Sequence, residues 1–367
     1  MRLGTLRDVE HGLPPELRLD EEAGEGFAYF FNGATAVACP PDLHWLVVCA
    51  AAEAHHNGGD IVVWGTSTEV GSTMLQDGGD FFDDAFDVQL SPDSGVAAAW
   101  KEGVLYAWRV PEGKPLWQAE IGTTRDPFEY DDDDDSDVEP EDELARIGFS
   151  GDGRRIAASS VVDGVHVIDA ATGAVVFASG AGSFGPVALD HHGERLAHAA
   201  SSGEIIVREV NSGAIVLRYD TGLAVVNALT YAPDGAGLLV AGGRRPGESV
   251  GATATVEAAP TAIVLDIGGD AVIGARQIQP VGLPASISAA SVVAAGCTRV
   301  IWADHGPMIF AASDHGAALF DGDGRILWTG PSLTIGNFTA DGRTLVLINQ
   351  SVDLDATIDA ILIDDLR

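Results

Sequence analysis

The residues best suited to chemistry in this chain are few. His191, His192 and His305 fall in short Gly- and Asp-containing turns, while His55 and His56, in EAHHNGGD, lie beside Glu53 and Asp60. Imidazole and carboxylate together are a transition-metal donor set, so the second group could hold a metal weakly. The turn histidines have a simpler reading as polar residues that tolerate solvent. Cys39, Cys49 and Cys297 match no metal spacing, and their odd number reads as buried thiols of a reducing compartment. Cys39 and Cys49 could face each other across a hairpin, but no functional disulfide is expected. H-E-x-x-H, G-x-S-x-G, the P-loop and paired-Cys motifs are all missing, so zinc hydrolysis, serine acyl transfer and nucleotide binding have no warrant. No catalytic residue and no cofactor is expected on this basis.

Carboxylates are the abundant chemistry. Residues 128–143, FEYDDDDDSDVEPEDE, carry eleven of them and no base. Such a run cannot pack as a strand and reads as a surface loop. Asp131, Asp132, Asp133, Asp134, Asp135, Asp137, Glu139, Glu141, Asp142 and Glu143 form a candidate docking arm for a basic partner, against the plainer reading of a solvated insertion. The whole chain has 55 acidic and 20 basic residues, a formal net charge of −35, which argues against direct nucleic-acid binding. Lys101 and Lys114 are the only lysines, and a 46% hydrophobic fraction excludes disorder as the origin of the acidity. A halophile surface accounts for it: in molar salt the screening length falls to about 3 Å and carboxylate repulsion fades. The amino-terminal stretch MRLGTLRDVEHGLPPEL lacks an apolar targeting core, and residues 277–298 are interrupted by Pro280, Pro284 and several serines. A cytoplasmic location without a membrane span is therefore expected.

The elements that position these groups repeat along the chain. Leu144 opens a unit that reads LARIGF, SGDGRR, IAASSVVDG, VHVIDA, ATG, AVVFASG, and the next unit follows with PVALD, HHGE, RLAHAASSG, EIIVREV, NSG, AIVLRYDTG. Each short run of Val, Ile, Ala and Phe is cut off by Gly, Asp or Asn, the pattern of a four-stranded meander. Gly153 and Gly193 stand 40 residues apart, a blade-length period. The first turn recurs seven times, near Asp42, Asp93, Asp152, His192, Asp234, His305 and Asp341. A tight link there needs a left-handed backbone, which Gly adopts without strain.

Seven such units predict an all-β fold, a seven-bladed β-propeller of four-stranded antiparallel blades. The second hairpins, such as LYAWRVPEGKPLWQAEIG and AALFDGDGRILWTG, resemble the outer halves of blades in the WD-repeat and quinoprotein-like (pyrroloquinoline quinone-type) propeller superfamilies. Trp117 and Trp328 follow the quinoprotein-like pattern, whereas the Gly-His and Trp-Asp dipeptides of WD repeats are missing. The resemblance runs from about residue 34 to the end and implies fold more than activity. Quinone-dependent dehydrogenases of this type imply longer chains, export and vicinal cysteines, none of which is found.

Two insertions are expected: the acidic loop 128–143, and a segment at about 243–260, RRPGESVGATATVEAAP, between the second and third strands of blade five. The last unit supplies only three strands, so an amino-terminal strand should close the ring. GFAYFF, residues 26–31, is the candidate, which makes 1–25 an extension and 26–367 one propeller. The function expected is a non-catalytic protein–protein interaction platform in a halophile cytoplasm. The alternative is a divalent-cation-dependent hydrolase or lactonase-like enzyme, with Ca²⁺ held by carboxylates at the channel mouth.

Overall fold

The computed structural model of the chain describes residues 2–5, 34–50, 61–66, 73–76, 85–101, 103–121, 146–160, 164–180, 183–200, 203–223, 225–243, 261–281, 297–313, 316–331, 334–349 and 357–366. They form seven four-stranded antiparallel sheets and almost no helix. The fold is a seven-bladed β-propeller.

The chain begins with β1 (Arg2–Thr5). Blade one is β2 (Ala34–Ala38), β3 (Trp45–Ala50), β4 (Ile61–Gly65) and β5 (Thr73–Gln76). Blade two is β6 (Ala85–Leu90), β7 (Val96–Lys101), β8 (Val104–Arg109) and β9 (Lys114–Glu120). Blade three is β10 (Arg146–Phe149), β11 (Arg155–Ser160), β12 (Gly164–Asp169) and β13 (Val175–Ser179). Blade four is β14 (Ser183–Leu189), β15 (Arg195–Ala200), β16 (Glu204–Glu209) and β17 (Ile215–Asp220). Blade five is β18 (Val225–Tyr231), β19 (Gly237–Gly243), β20 (Thr261–Gly268) and β21 (Ala271–Ile278). Blade six is β22 (Cys297–Ala303), β23 (Gly306–Ser313), β24 (Gly316–Asp321) and β25 (Ile326–Gly330). Blade seven takes β26 (Thr334–Phe338), β27 (Thr344–Asn349) and β28 (Thr357–Leu362) from the carboxyl end of the chain.

The fourth position of blade seven is held by β1, antiparallel to β28 with Gly4 opposite Ile358 and Thr5 opposite Thr357. That strand comes from the stretch the sequence reading set aside as an extension. Residues 26–31, the expected strand, lie outside the described residues, as do the acidic loop between β9 and β10 and residues 244–260 between β19 and β20.

The seven inner turns carry the local geometry that the sequence demands. The residue after each named turn position has a positive φ: Leu43 at 58°, Ser94 at 57°, Gly153 at 71°, Gly193 at 67°, Gly235 at 71°, Gly306 at 105° and Gly342 at 69°. Five of the seven are glycine, the residue for which this conformation carries no Cβ clash. A second device recurs inside the turns. Ser91, Ser150 and Thr339 each donate a hydroxyl hydrogen bond to the aspartate two residues on, at 2.6, 2.8 and 2.6 Å, so Asp93, Asp152 and Asp341 are turn braces.

The core lies between neighbouring blades. Ile205 and Val207 of blade four pack with Leu238 and Val240 of blade five, and Leu46 and Val48 of blade one pack with Ile335 and Val346 of blade seven. Burying each such side chain stabilises the ring by about 1.5–3 kcal/mol. Polar contacts add direction: Trp117 Nε1 of blade two donates to Ala170 O of blade three at 2.9 Å, and Arg195 Nη1 of blade four donates to Gly269 O of blade five at 2.8 Å. The first strands of successive blades touch around the whole circle, with β26 against β2, and enclose a central channel. Among the described residues, no helix is long and apolar enough to cross a membrane.

Candidate functional site

The innermost strands are related by the repeat, so counting back from the left-handed turn residue gives matching sequence positions, although the inner hairpin of blade six is two residues tighter, with Ala303 paired to Gly306. Seven residues upstream lie Asp87 in blade two, Arg146 in blade three and Arg299 in blade six. Ala36, Pro186, Ala228 and Ile335 occupy the same position in the other blades. Three charged side chains thus interrupt an otherwise apolar set, and all three line a channel cavity of about 400 Å³. Two residues further on, the equivalent positions include Gln89, Thr230 and Asn337, again on the cavity wall.

Asp87 is 1% exposed and is held on every side. Its Oδ1 accepts from Arg299 Nη2 at 2.8 Å, from the Val88 amide at 3.0 Å and from Gln89 Nε2 at 3.4 Å. Its Oδ2 accepts from the Ile147 amide of blade three at 3.0 Å. Arg299 reaches it from blade six, so the pair ties non-adjacent blades together. A weaker link, Asn337 Nδ2 to Gln89 Oε1 at 3.5 Å, joins blade seven to blade two. The Arg299 side chain is only 12% exposed, and its buried Nε finds no acceptor among the described residues. A buried pair of this kind survives only because extra hydrogen bonds offset the desolvation of both charges.

The cavity opens toward the inner turns, where Gly151, His191, Pro233 and Ala340 are exposed on its rim. His191 packs edge-on against His192 with ring centres 4.7 Å apart, and His192 Nδ1 lies 3.9 Å from Asp152 Oδ2. His305 is on another blade, with Nε2 3.1 Å from Asp364 Oδ1. His305 is thus apart from the His191–His192 pair. His55, His56, Glu53 and Asp60 lie outside the described residues, as do Asp131, Asp132, Asp133, Asp134, Asp135, Asp137, Glu139, Glu141, Asp142 and Glu143. Cys39 and Cys49 are free and buried on opposite faces of blade one, the first packed toward blade seven and the second toward blade two. Burial pushes both thiols up in pKa, which suppresses the reactive thiolate.

A second surface stands out on the outer rim. Val175 and Val176 on β13, Ile215 on β17 and Ile273 on β21 are 49%, 41%, 38% and 75% exposed, at the starts of the outermost strands of three consecutive blades. The stretch of chain that builds these three blades is also less acidic than the rest. Residues 146–281 contain nine arginines and thirteen carboxylates, whereas the remainder of the chain has eleven basic and 42 acidic residues.

Sequence reasoning missed Asp87, Arg146 and Arg299. A signal was present, because aligning the seven turns puts these charges at one repeat position inside apolar runs. No protein-family model matches the chain and no curated protein matches it with significance, so what this propeller does is read from its own channel and rim.

Proposed function

We propose that the protein is a non-catalytic interaction platform that docks a protein partner on the outer rim of blades three to five. The observation that carries this is the exposure of Val175, Val176, Ile215 and Ile273 on consecutive outermost strands, in the sector where opposite charges nearly balance. Interface cores are depleted in charge and exposed apolar clusters mark contact sites. The acidic run 128–143, which lies between β9 and β10 in the sequence, would speed the association of a basic partner. The net charge of −35 supports a halophile cytoplasm as the setting, and the outer hairpins bearing Trp117 and Trp328 support kinship with WD-repeat or quinoprotein-like propellers.

A divalent-cation-dependent hydrolase or lactonase-like enzyme would need channel carboxylates that can turn to a cation. Asp87 has both oxygens engaged by Arg299 and by main-chain amides, which weighs against that alternative. The test is affinity capture from the native host in high salt with wild type and with a variant carrying Val175→Ser, Val176→Ser, Ile215→Ser and Ile273→Ser. Loss of the specific co-purifying proteins at unchanged melting temperature supports the platform. Equal yields from the two proteins contradict it.

A further inference from the structure

We infer that the central channel is a binding site for a small uncharged polyol, with Asn227 and Thr230 of blade five as its hydrogen-bonding contacts. Both line the channel cavity. The inference is independent of the rim and stands on the channel alone.

Backbone geometry is the first ground. β18 pairs with β19 through Val226 opposite Gly242 and Ala228 opposite Ala241, so Asn227 is the extra residue of a β-bulge. A bulge takes one residue out of the ladder and re-aims its side chain. The side chain of Asn227 lies half-buried on the cavity wall, and its amide makes no hydrogen bond among the described residues.

Register is the second ground. Thr230, Gln89, Gly148, Ala188 and Asn337 each pair with the third residue of the strand that follows, and Arg299 pairs with the fifth of β23, whose hairpin is two residues tighter. These six residues therefore share one level of the channel. Arg299 reaches Asp87 at 2.8 Å and Asn337 reaches Gln89 at 3.5 Å, so the polar groups of blades six and seven are turned to blade two. On the side of blades three to five, Gly148 and Ala188 leave room beside Thr230, whose hydroxyl finds only the Tyr231 carbonyl, at 3.4 Å. That distance is long for an O–H···O bond.

Chemistry is the third. Asp87 and Arg299 are committed to one another, the Nε of Arg299 is buried out of a ligand's reach, and Arg146 is engaged within the protein. The groups with unspent hydrogen-bonding capacity, Asn227 and Thr230, are uncharged. An amide and a hydroxyl each both donate and accept. The ligand group that answers both is another hydroxyl, and a polyol presents several on adjacent carbons. The volume of about 400 Å³ lies in the range of small-molecule sites, and Leu229 and Val300 offer an apolar wall to the carbon chain.

Saturation-transfer NMR on the full chain tests this by titration with glycerol, sorbitol and myo-inositol at constant ionic strength, with sodium acetate and phosphate as charged comparators. The expected result is saturable binding of a polyol, weakened roughly tenfold or more by Asn227→Leu, which removes the amide contacts from the wall. Thr230→Val, close to it in shape, should weaken binding roughly threefold or more, and it carries the test alone if Asn227→Leu does not keep the wild-type melting curve. Absence of saturable binding by all three polyols, or wild-type affinity in either folded variant, overturns the site. Tighter binding of acetate or phosphate than of any polyol overturns the assignment of an uncharged ligand.

Discussion

Arg299 of blade six and Asp87 of blade two are 212 residues apart in the chain and 2.8 Å apart in space, Nη2 against Oδ1. The contact fixes the relative position of two blades that share no strand pairing, and it places a charged pair where four other blades carry alanine, proline or isoleucine.

Removing one partner of this pair should cost far more than removing both. Arg299→Leu leaves a buried carboxylate without its counter-charge and should destabilise the protein by about 3–5 kcal/mol. The double variant Asp87→Leu, Arg299→Leu should recover a large part of that loss. Denaturant titrations of the two singles and the double measure the coupling, and strictly additive losses would mean the pair contributes nothing to the ring.

Closure makes a separate prediction. Deleting residues 1–5 removes β1 and exposes the backbone edge of β28. Each blade buries its core only against its neighbours, so the ring should open at its weakest junction and the melting temperature should fall by roughly 5 °C or more. A shift within a degree of the full chain would leave the fourth strand of blade seven without a closing role.

The seven inner turns and the three-stranded last unit were legible in the sequence, because each depends on local chemistry: a positive φ and an apolar run. What escaped notice was non-local. Arg2–Thr5 is four residues with no alternating pattern, so nothing in it announces a strand, and the aromatic run at 26–31 drew the assignment instead. The Asp87–Arg299 pair joins two blades whose sequences give no sign that they face one another. Only the repeat position shared with Arg146 could have marked it.

A buried histidine sets a pH dependence. His198 is 2% exposed, and Arg208 Nε donates to its Nε2 at 3.2 Å. Burial, with the nearby Arg208 charge second, lowers its pKa from 6.5 to about 4. Folding therefore favours the neutral ring. Its contribution is present in full above pH 6.5 and is lost as pH falls from there to about 4, a change of roughly 3 kcal/mol. Replacing His198 with Gln should remove that slope from the variant's own curve, so the two stability curves should not run parallel between pH 6.5 and 4. Parallel curves from pH 7 to 4 would assign the acid sensitivity to other groups.

Salt tests the surface. Thermal stability should rise steeply from about 0.1 M to above 1 M KCl, as the screening length falls from about 10 Å to 3 Å. Replacing residues 128–143 with a short Gly/Ser linker should leave the high-salt melting temperature within about 2 °C of wild type, since an all-polar segment buries little apolar area. Flat melting temperatures across the salt range would remove the support for a halophile setting, and loss of folding in the linker variant would contradict the assignment of this run to a loop.

Hydrogen–deuterium exchange on the captured complex is the most direct measurement of the platform proposal. Partner binding should slow exchange in β13, β17 and β21, the outermost strands that carry Val175, Ile215 and Ile273, and leave the inner-turn peptides around Asp93 and Asp341 unchanged. Protection confined to the inner turns at the channel mouth, with none on the three outer strands, would contradict a docking surface on the rim of blades three to five.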